Sequence, residues 1–135
     1  MKKGARGVSL VEVLVAVMII SFVSVGILQT FLVNLNAAEL NRGNTVAMAH
    51  LGNMLEKIRC AAFDDLTTRF PNQDVDGPTG NNYADIVGGY TLPNEHITVT
   101  YTDPSTDPLE IIITLTWRYR NTLDRTNALA TKRTR

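Results

Sequence analysis

Residues 7–33 read GVSLVEVLVAVMIISFVSVGILQTFLV, and from Val8 to Val33 this is a run of 26 residues with one charge, Glu12. A bilayer core takes about 20 consecutive apolar residues in a helix, so the run is long enough to span one. Valine and isoleucine are mediocre helix formers in water. In lipid, however, every backbone N–H and C=O must bond within its own segment, and that requirement dominates. Lys2, Lys3 and Arg6 precede the run, and no cation follows it until Arg42. That asymmetry predicts a cytoplasmic N-terminus and export of the bulk of the chain.

Two common explanations of such a run fall short. A secretory signal peptide has an apolar core of about 7–15 residues followed by a small-residue cut site. This run is longer, carries a carboxylate near its start, and has only a weak downstream site around Ala37 and Ala38. A plain single-pass anchor accounts for the length and the flanks but leaves Glu12 unexplained. A carboxylate in an apolar span is costly and is functional by default.

The residues Gly7-Val8-Ser9-Leu10-Val11-Glu12 behind a basic leader resemble the processing motif of type IV prepilins. The resemblance implies that a membrane peptidase cuts between Gly7 and Val8 on the cytoplasmic side, that Val8 becomes a methylated N-terminus, and that Glu12 is the assembly glutamate. The family most often has Phe after the cut. Val8 departs from that and favours a minor subunit. Glu12 through Val17 is similar to the minor pilins called PilV, or type IV pilus modification proteins, as are Leu55 to Arg59 and Ile97 to Tyr101. The resemblance covers about the first 66 residues well and the remainder loosely.

The chemistry stands without the family. Cleavage after Gly7 creates an ammonium at Val8, and Glu12 lies one helical turn inward on the same face. A helix N-terminus also favours a nearby anion. In a single subunit Glu12 can pair with its own terminus. In a filament it can neutralise a neighbour's ammonium and fix axial register, because half of a buried ion pair is expensive. A glutamate snorkelling to the membrane edge is the plainer alternative.

The 135 residues are enough for one domain with a modest core. The formal net charge is zero, so no global basic field advertises nucleic acid. Cys60 is the only cysteine, which rules out an intramolecular disulfide and reads as a small half-buried helix residue. No proline occurs before Pro71, so the helix is expected to continue from Val8 to about Asp64, roughly 85 Å at 1.5 Å per residue. Leu40, Ala47, Leu51, Met54, Leu55, Ile58 and Ala62 recur at three- and four-residue steps and predict an amphipathic second half. Gly26 is either a weak point in the first half or a place of close helix packing.

From Pro71 to Gly89 the composition turns to Gly, Asn, Asp and Pro and reads as a long exposed loop. Beyond it the period changes to two. Ile97, Val99 and Tyr101 alternate with threonines, and Leu109, Ile111, Ile113, Leu115, Trp117 and Tyr119 alternate with mostly polar partners. The two runs predict a hairpin whose apolar face covers the helix. Tyr90–Leu92 and Ala128–Arg133 are candidate short strands, with Lys132, Arg133 and Arg135 as edge protection or a frayed tail. Asn72, Asp74, Asp76 and Gly77 match the opening of an EF-hand loop, but Tyr83 stands where that loop needs its bidentate glutamate, so no metal is predicted.

The two histidines, His50 and His96, lack a metal spacing, and no nucleophile or phosphate-loop motif occurs, so neither catalysis nor a cofactor is expected. His50 reads as a solvated residue on a polar helix face. Arg118, Tyr119, Arg120 and Arg125 suit an ordinary strand and turn as well as a binding patch, and no nucleic-acid partner is predicted.

The fold class expected is thus α+β, the type IV pilin fold: a long N-terminal helix, its first half transmembrane, packed on a small antiparallel β-sheet head. The divisions are a cleaved leader at 1–7, a membrane or filament-core half at 8–33, an amphipathic half at 34–66, and a β-rich head at 67–135 with the loop 71–89. The resemblance implies a minor pilin, processed by prepilin peptidase, with other pilin subunits and the membrane assembly platform as partners. It implies inner-membrane residence with a periplasmic head, followed by entry into the pilus. A minor pseudopilin of a type II secretion system shares the same N-terminal logic.

Overall fold

The computed structural model describes residues 9–103, 106–120 and 123–134. One long helix, α1 (Leu10–Cys60), is followed by a 3-10 turn (Phe63–Asp65) and two short helices, α2 (Leu66–Arg69) and α3 (Tyr83–Val87). Three strands come next, β1 (His96–Tyr101), β2 (Leu109–Tyr119) and β3 (Leu123–Arg133). Packing divides the chain into two compact units, Met1–Glu39 and Leu40–Arg135.

In the second unit, α1 buries Gly43, Ala47, His50, Leu51, Met54 and Ile58. Their three- and four-residue steps place them on one stripe of the helix. The expected end of that stripe shifts by one residue: Ala61 is buried, whereas Ala62 is exposed. The reason is that α1 stops at Cys60 and Ala62 is already extended, with φ −63° and ψ 144°. Cys60 is exposed rather than half-buried.

The sheet is antiparallel in the order β1–β2–β3. Val99 lies opposite Ile113, and Ile113 opposite Leu129. β2 alternates as predicted, burying Leu109, Ile111, Ile113, Leu115 and Trp117, while β1 buries Ile97, Val99 and Tyr101. These residues and the α1 stripe form one apolar cluster. Full burial of a Leu, Ile or Met side chain is worth about 1.5–3 kcal/mol, so the cluster is the main source of stability in the unit. The long helix packed on a small antiparallel sheet matches the α+β type IV pilin fold.

Three expectations change. The 71–89 segment holds helix α3, with Tyr83 and Val87 buried. Asn82 caps that helix by accepting from Ala84 N–H (2.9 Å), and Gly88 ends it at φ 92°, a left-handed conformation that glycine adopts without strain. Tyr90–Leu92 forms no strand, because the N–H groups of Thr91 and Leu92 donate to the Glu95 carboxylate instead of to a sheet. The last strand is longer than Ala128–Arg133 and pairs along its whole length, from Leu123 to Arg133.

Candidate functional site: an exposed apolar helix and the ties of the second unit

The first turn of α1 starts from Ser9, whose carbonyl accepts from Glu12 N–H (2.9 Å) and Val13 N–H (3.2 Å). Glu12 lies in that turn, where its charge complements the positive end of the helix dipole. The expected processing positions, Gly7 and Val8, lie outside the described residues, as does the 1–7 leader.

Every residue from Ser9 to Glu39 is exposed. Phe22 is 86% exposed and Leu10 78%, and sixteen further large apolar side chains between Val11 and Leu35 are each 49–66% exposed. Soluble monomers rarely expose contiguous apolar patches beyond a few hundred Å². The polar side chains of the run are satisfied locally. Ser21 donates to Val17 O (2.8 Å), Ser24 to Ile20 O (2.7 Å) and Thr30 to Gly26 O (3.0 Å). No hydroxyl among these three needs water, as an apolar surrounding requires. By length and composition, α1 is able to cross a membrane. A Cβ at Gly26 would meet no atom within 4 Å, so nothing in the described chain requires a glycine there.

In the Leu40–Arg135 unit, three ties hold α1 to the rest of the fold. His50, expected on a polar face, is buried, and its Nδ1 meets Oε1 of the buried Glu95. The other carboxylate oxygen accepts from Thr91 N–H (3.1 Å) and Leu92 N–H (3.0 Å). Gly43 lies under the Trp117 ring so closely that a Cβ would collide with it. The Trp117 indole N–H reaches Asn127 Oδ1 at 3.3 Å. Arg133 Nη1 donates to Ile58 O and Ala61 O, both at 2.7 Å. This takes up carbonyls that the end of α1 leaves free and places a cation at its negative pole. Arg133 is therefore neither edge protection nor a frayed tail.

The acidic turn has a similar internal use. Asp76 adopts a left-handed conformation (φ 63°), which Asp tolerates better than most residues. Its carboxylate accepts from Tyr90 O–H (2.7 Å) and Ile97 N–H (3.0 Å) and faces His96 Nδ1 (2.7 Å). Burial pushes the Asp76 carboxyl up, but these donors and the charge of His96 outweigh it and hold it below the ordinary carboxylate range. Asn72 Oδ1 accepts from Tyr101 N–H (2.9 Å). The EF-hand-like residues thus serve as a clasp on β1. Tyr101 donates its own hydroxyl to Phe70 O (2.7 Å), and burial pushes that phenol up to about 12.

Two of the three cations considered for a binding patch have partners of their own. Arg118 pairs with Asp124 (2.8 Å), and the Arg120 guanidinium lies 5.5 Å from the centre of the Tyr119 ring. The ties at His50, Gly43 and Arg133 escaped the sequence reading. His50 and Gly43 carried a local signal: His50 stands three residues after Ala47 and Gly43 four before it, both on the buried stripe.

A family model described as the prokaryotic N-terminal methylation motif matches residues 2–28. No curated protein matches the chain, and no solved structure does. The matched segment contains Glu12 and about two thirds of the exposed run. The motif indicates a prepilin-type substrate of a prepilin peptidase and supports a type IV pilin-like family, a family of structural subunits.

Proposed function

We propose that the chain is a minor pilin, a structural subunit for type IV pilus assembly or modification of the PilV type. Prepilin peptidase cuts between Gly7 and Val8, and Val8 is then methylated. The observation that carries the reading is the wholly exposed apolar surface of α1 from Leu10 to Leu35, with Glu12 as its one charge. Such a surface needs cover, first by lipid with the N-terminus cytoplasmic and the head periplasmic, and then by the apolar helices of other pilin subunits.

Glu12 gives that packing its register. In the membrane-held subunit its carboxylate pairs with the Val8 ammonium of the same chain. In the filament it meets the ammonium of a neighbouring subunit delivered by the assembly platform. A subunit seated out of register leaves both charges unpaired in an apolar core, which is penalised strongly.

The test is mass spectrometry of the membrane fraction and of sheared filaments from a strain carrying the native system. The expected mature chain starts at Val8, with an added methyl, and occurs in both fractions. A mature start near Ala38 would sink the reading. Deletion that abolishes exoprotein secretion while leaving pili intact would make the chain a minor pseudopilin instead.

A further inference from the structure

The two edges of the sheet are treated differently. On the β1 edge the outward-facing backbone is sealed. Ile97 N–H donates to the Asp76 carboxylate (3.0 Å), and Ile97 O accepts from Asp76 N–H (2.8 Å). Val99 O accepts from Gln73 N–H (2.8 Å), and Tyr101 N–H donates to Asn72 Oδ1 (2.9 Å). The β3 edge has no partner strand among the described residues.

Which groups of β3 face outward follows from the ladder. Glu110 O accepts from Thr102 N–H (3.3 Å), so the even-numbered residues of β2 turn their backbone toward β1. Its odd-numbered residues then face β3, where they lie opposite odd-numbered partners, Ile113 to Leu129 and Leu115 to Asn127. In an antiparallel ladder a residue sends both its N–H and its C=O to the same side, and successive residues alternate. Thr126, Ala128, Ala130 and Lys132 therefore point their backbone groups away from the sheet.

Native edges are normally blunted by brevity, proline, bulges or free charges. β3 has eleven residues, no proline and an unbroken register. Three of its four charges are drawn away from the edge: Asp124 to Arg118 (2.8 Å), Arg133 to the end of α1 (2.7 Å), and Lys132 toward Glu110 (4.0 Å); the fourth, Arg125, lies opposite Trp117 and turns its backbone toward β2. The stretch Thr126–Thr131 is left uncharged and open.

We infer that this edge receives an extended strand from a different subunit of the filament, uncharged over about five residues, by β-sheet addition. An alternating row of N–H and C=O groups is satisfied by another extended backbone. A second copy of this chain does not supply one. Its β1 edge is sealed, which leaves its own β3, and two β3 edges of identical chains that keep α1 on the same face of the joined sheet meet antiparallel about a two-fold axis normal to the sheet. Trp117, opposite Arg125, touches α1 at Gly43, and Arg133 touches it at Ile58, so β3 and the Leu40–Cys60 half of α1 run in the same direction. The two-fold would therefore set the two α1 halves in opposite directions, unlike subunits drawn from one membrane.

The inference rests on the proposed filament role, and the test separates the two. Amide hydrogen exchange is measured residue by residue on the full-length processed chain, once in detergent-solubilised membrane and once in sheared filaments. Thr126, Ala128 and Ala130 N–H are expected to exchange fast in membrane and slowly in filaments, while Asn127, Leu129 and Thr131 are slow in both. Equal fast exchange of the even-numbered amides in filaments overturns the inference while leaving the filament role intact. Absence of the chain from filaments overturns the filament role itself. Ala128→Pro removes an outward N–H that β2 does not use, and edge positions tolerate proline. It should lower filament incorporation by about tenfold, the factor for one to two net hydrogen bonds, with unchanged abundance in the membrane. In a Cys60→Ser background, efficient disulfide formation between Ala128→Cys chains, but not between Thr126→Cys or Ala130→Cys chains, would show a two-fold pair of identical chains and refute the different-subunit occupant.

Discussion

Glu95→Ala is the sharpest test of how the head is held. The side chain is fully buried and serves three donors, His50 Nδ1 and the N–H groups of Thr91 and Leu92. Truncation leaves all three without their acceptor. Thr91 is exposed, so water replaces its bond at little cost. Leu92 is half-buried and His50 is buried, and each orphaned group costs about 1–3 kcal/mol. The cavity adds about 1 kcal/mol. A loss of about 3 kcal/mol or more follows, in line with the range of about 3–5 kcal/mol for breaking a buried pair. A domain of this size has about 5–10 kcal/mol in total, so the loss is a third of it or more. At about 4–8 °C per kcal/mol, the melting temperature of a 36–135 fragment should fall by about 12 °C or more.

Glu95→Gln is the control. Its carbonyl can take both backbone N–H groups while its amide donates to Nδ1 of the other His50 tautomer, so the bonds survive and only the charge is lost. That change should cost about 1 kcal/mol. His50→Ala strands a buried carboxylate, and the double-mutant cycle with Glu95→Ala should show a coupling of about 1.5 kcal/mol or more. Urea denaturation of the four proteins measures it. A Glu95→Ala loss below about 1 kcal/mol, or strict additivity in the cycle, would refute the buried tie.

Glu12→Leu should leave membrane insertion and cleavage intact but fail to enter filaments, since a lost partner of a buried pair costs about 3–5 kcal/mol; the ratio of processed subunit in membrane to subunit in sheared filaments measures it, with Glu12→Asp intermediate. Gly43→Ala sets a gain of about 1 kcal/mol in helix propensity against overpacking of about 1–3 kcal/mol. Trp117 is a rigid ring within a buried cluster, so the net result should be destabilising, whereas Gly52→Ala, with open space around it, should stabilise; chemical denaturation of both variants checks the opposite signs. The Asp76 carboxyl is held low in the folded state, so its contribution is present above the unfolded value of about 3.9 and disappears as pH falls through the folded value. Denaturant midpoints should drop from pH 5 to pH 2.5, and Asp76→Asn should flatten that part of the curve.

Several of these features were legible in the sequence because they repeat locally. The apolar run, its lone carboxylate and the alternation of β2 are patterns of period one, 3.6 and two, each visible within a dozen residues. They determine a membrane-competent helix, an amphipathic continuation and a two-faced strand, and with them the fold class. What they do not determine is which distant residues complete one another. His50 and Glu95 are 45 residues apart, and Arg133 and Ile58 are 75 apart. Gly43 leaves room for the Trp117 ring, which no local pattern connects to it. The EF-hand-like turn, for which the sequence predicts no metal, places carboxylate and amide oxygens of Asp76 and Asn72 on the backbone of β1, which its local pattern does not announce. The end of α1 at Cys60 had no proline or glycine to mark it; it is set where an arginine from the far edge of the sheet takes the last carbonyls. Local periodicity follows from the geometry of a single helix or strand, so one segment reveals it. A buried polar partner is chosen by desolvation, which exists only once the chain has folded.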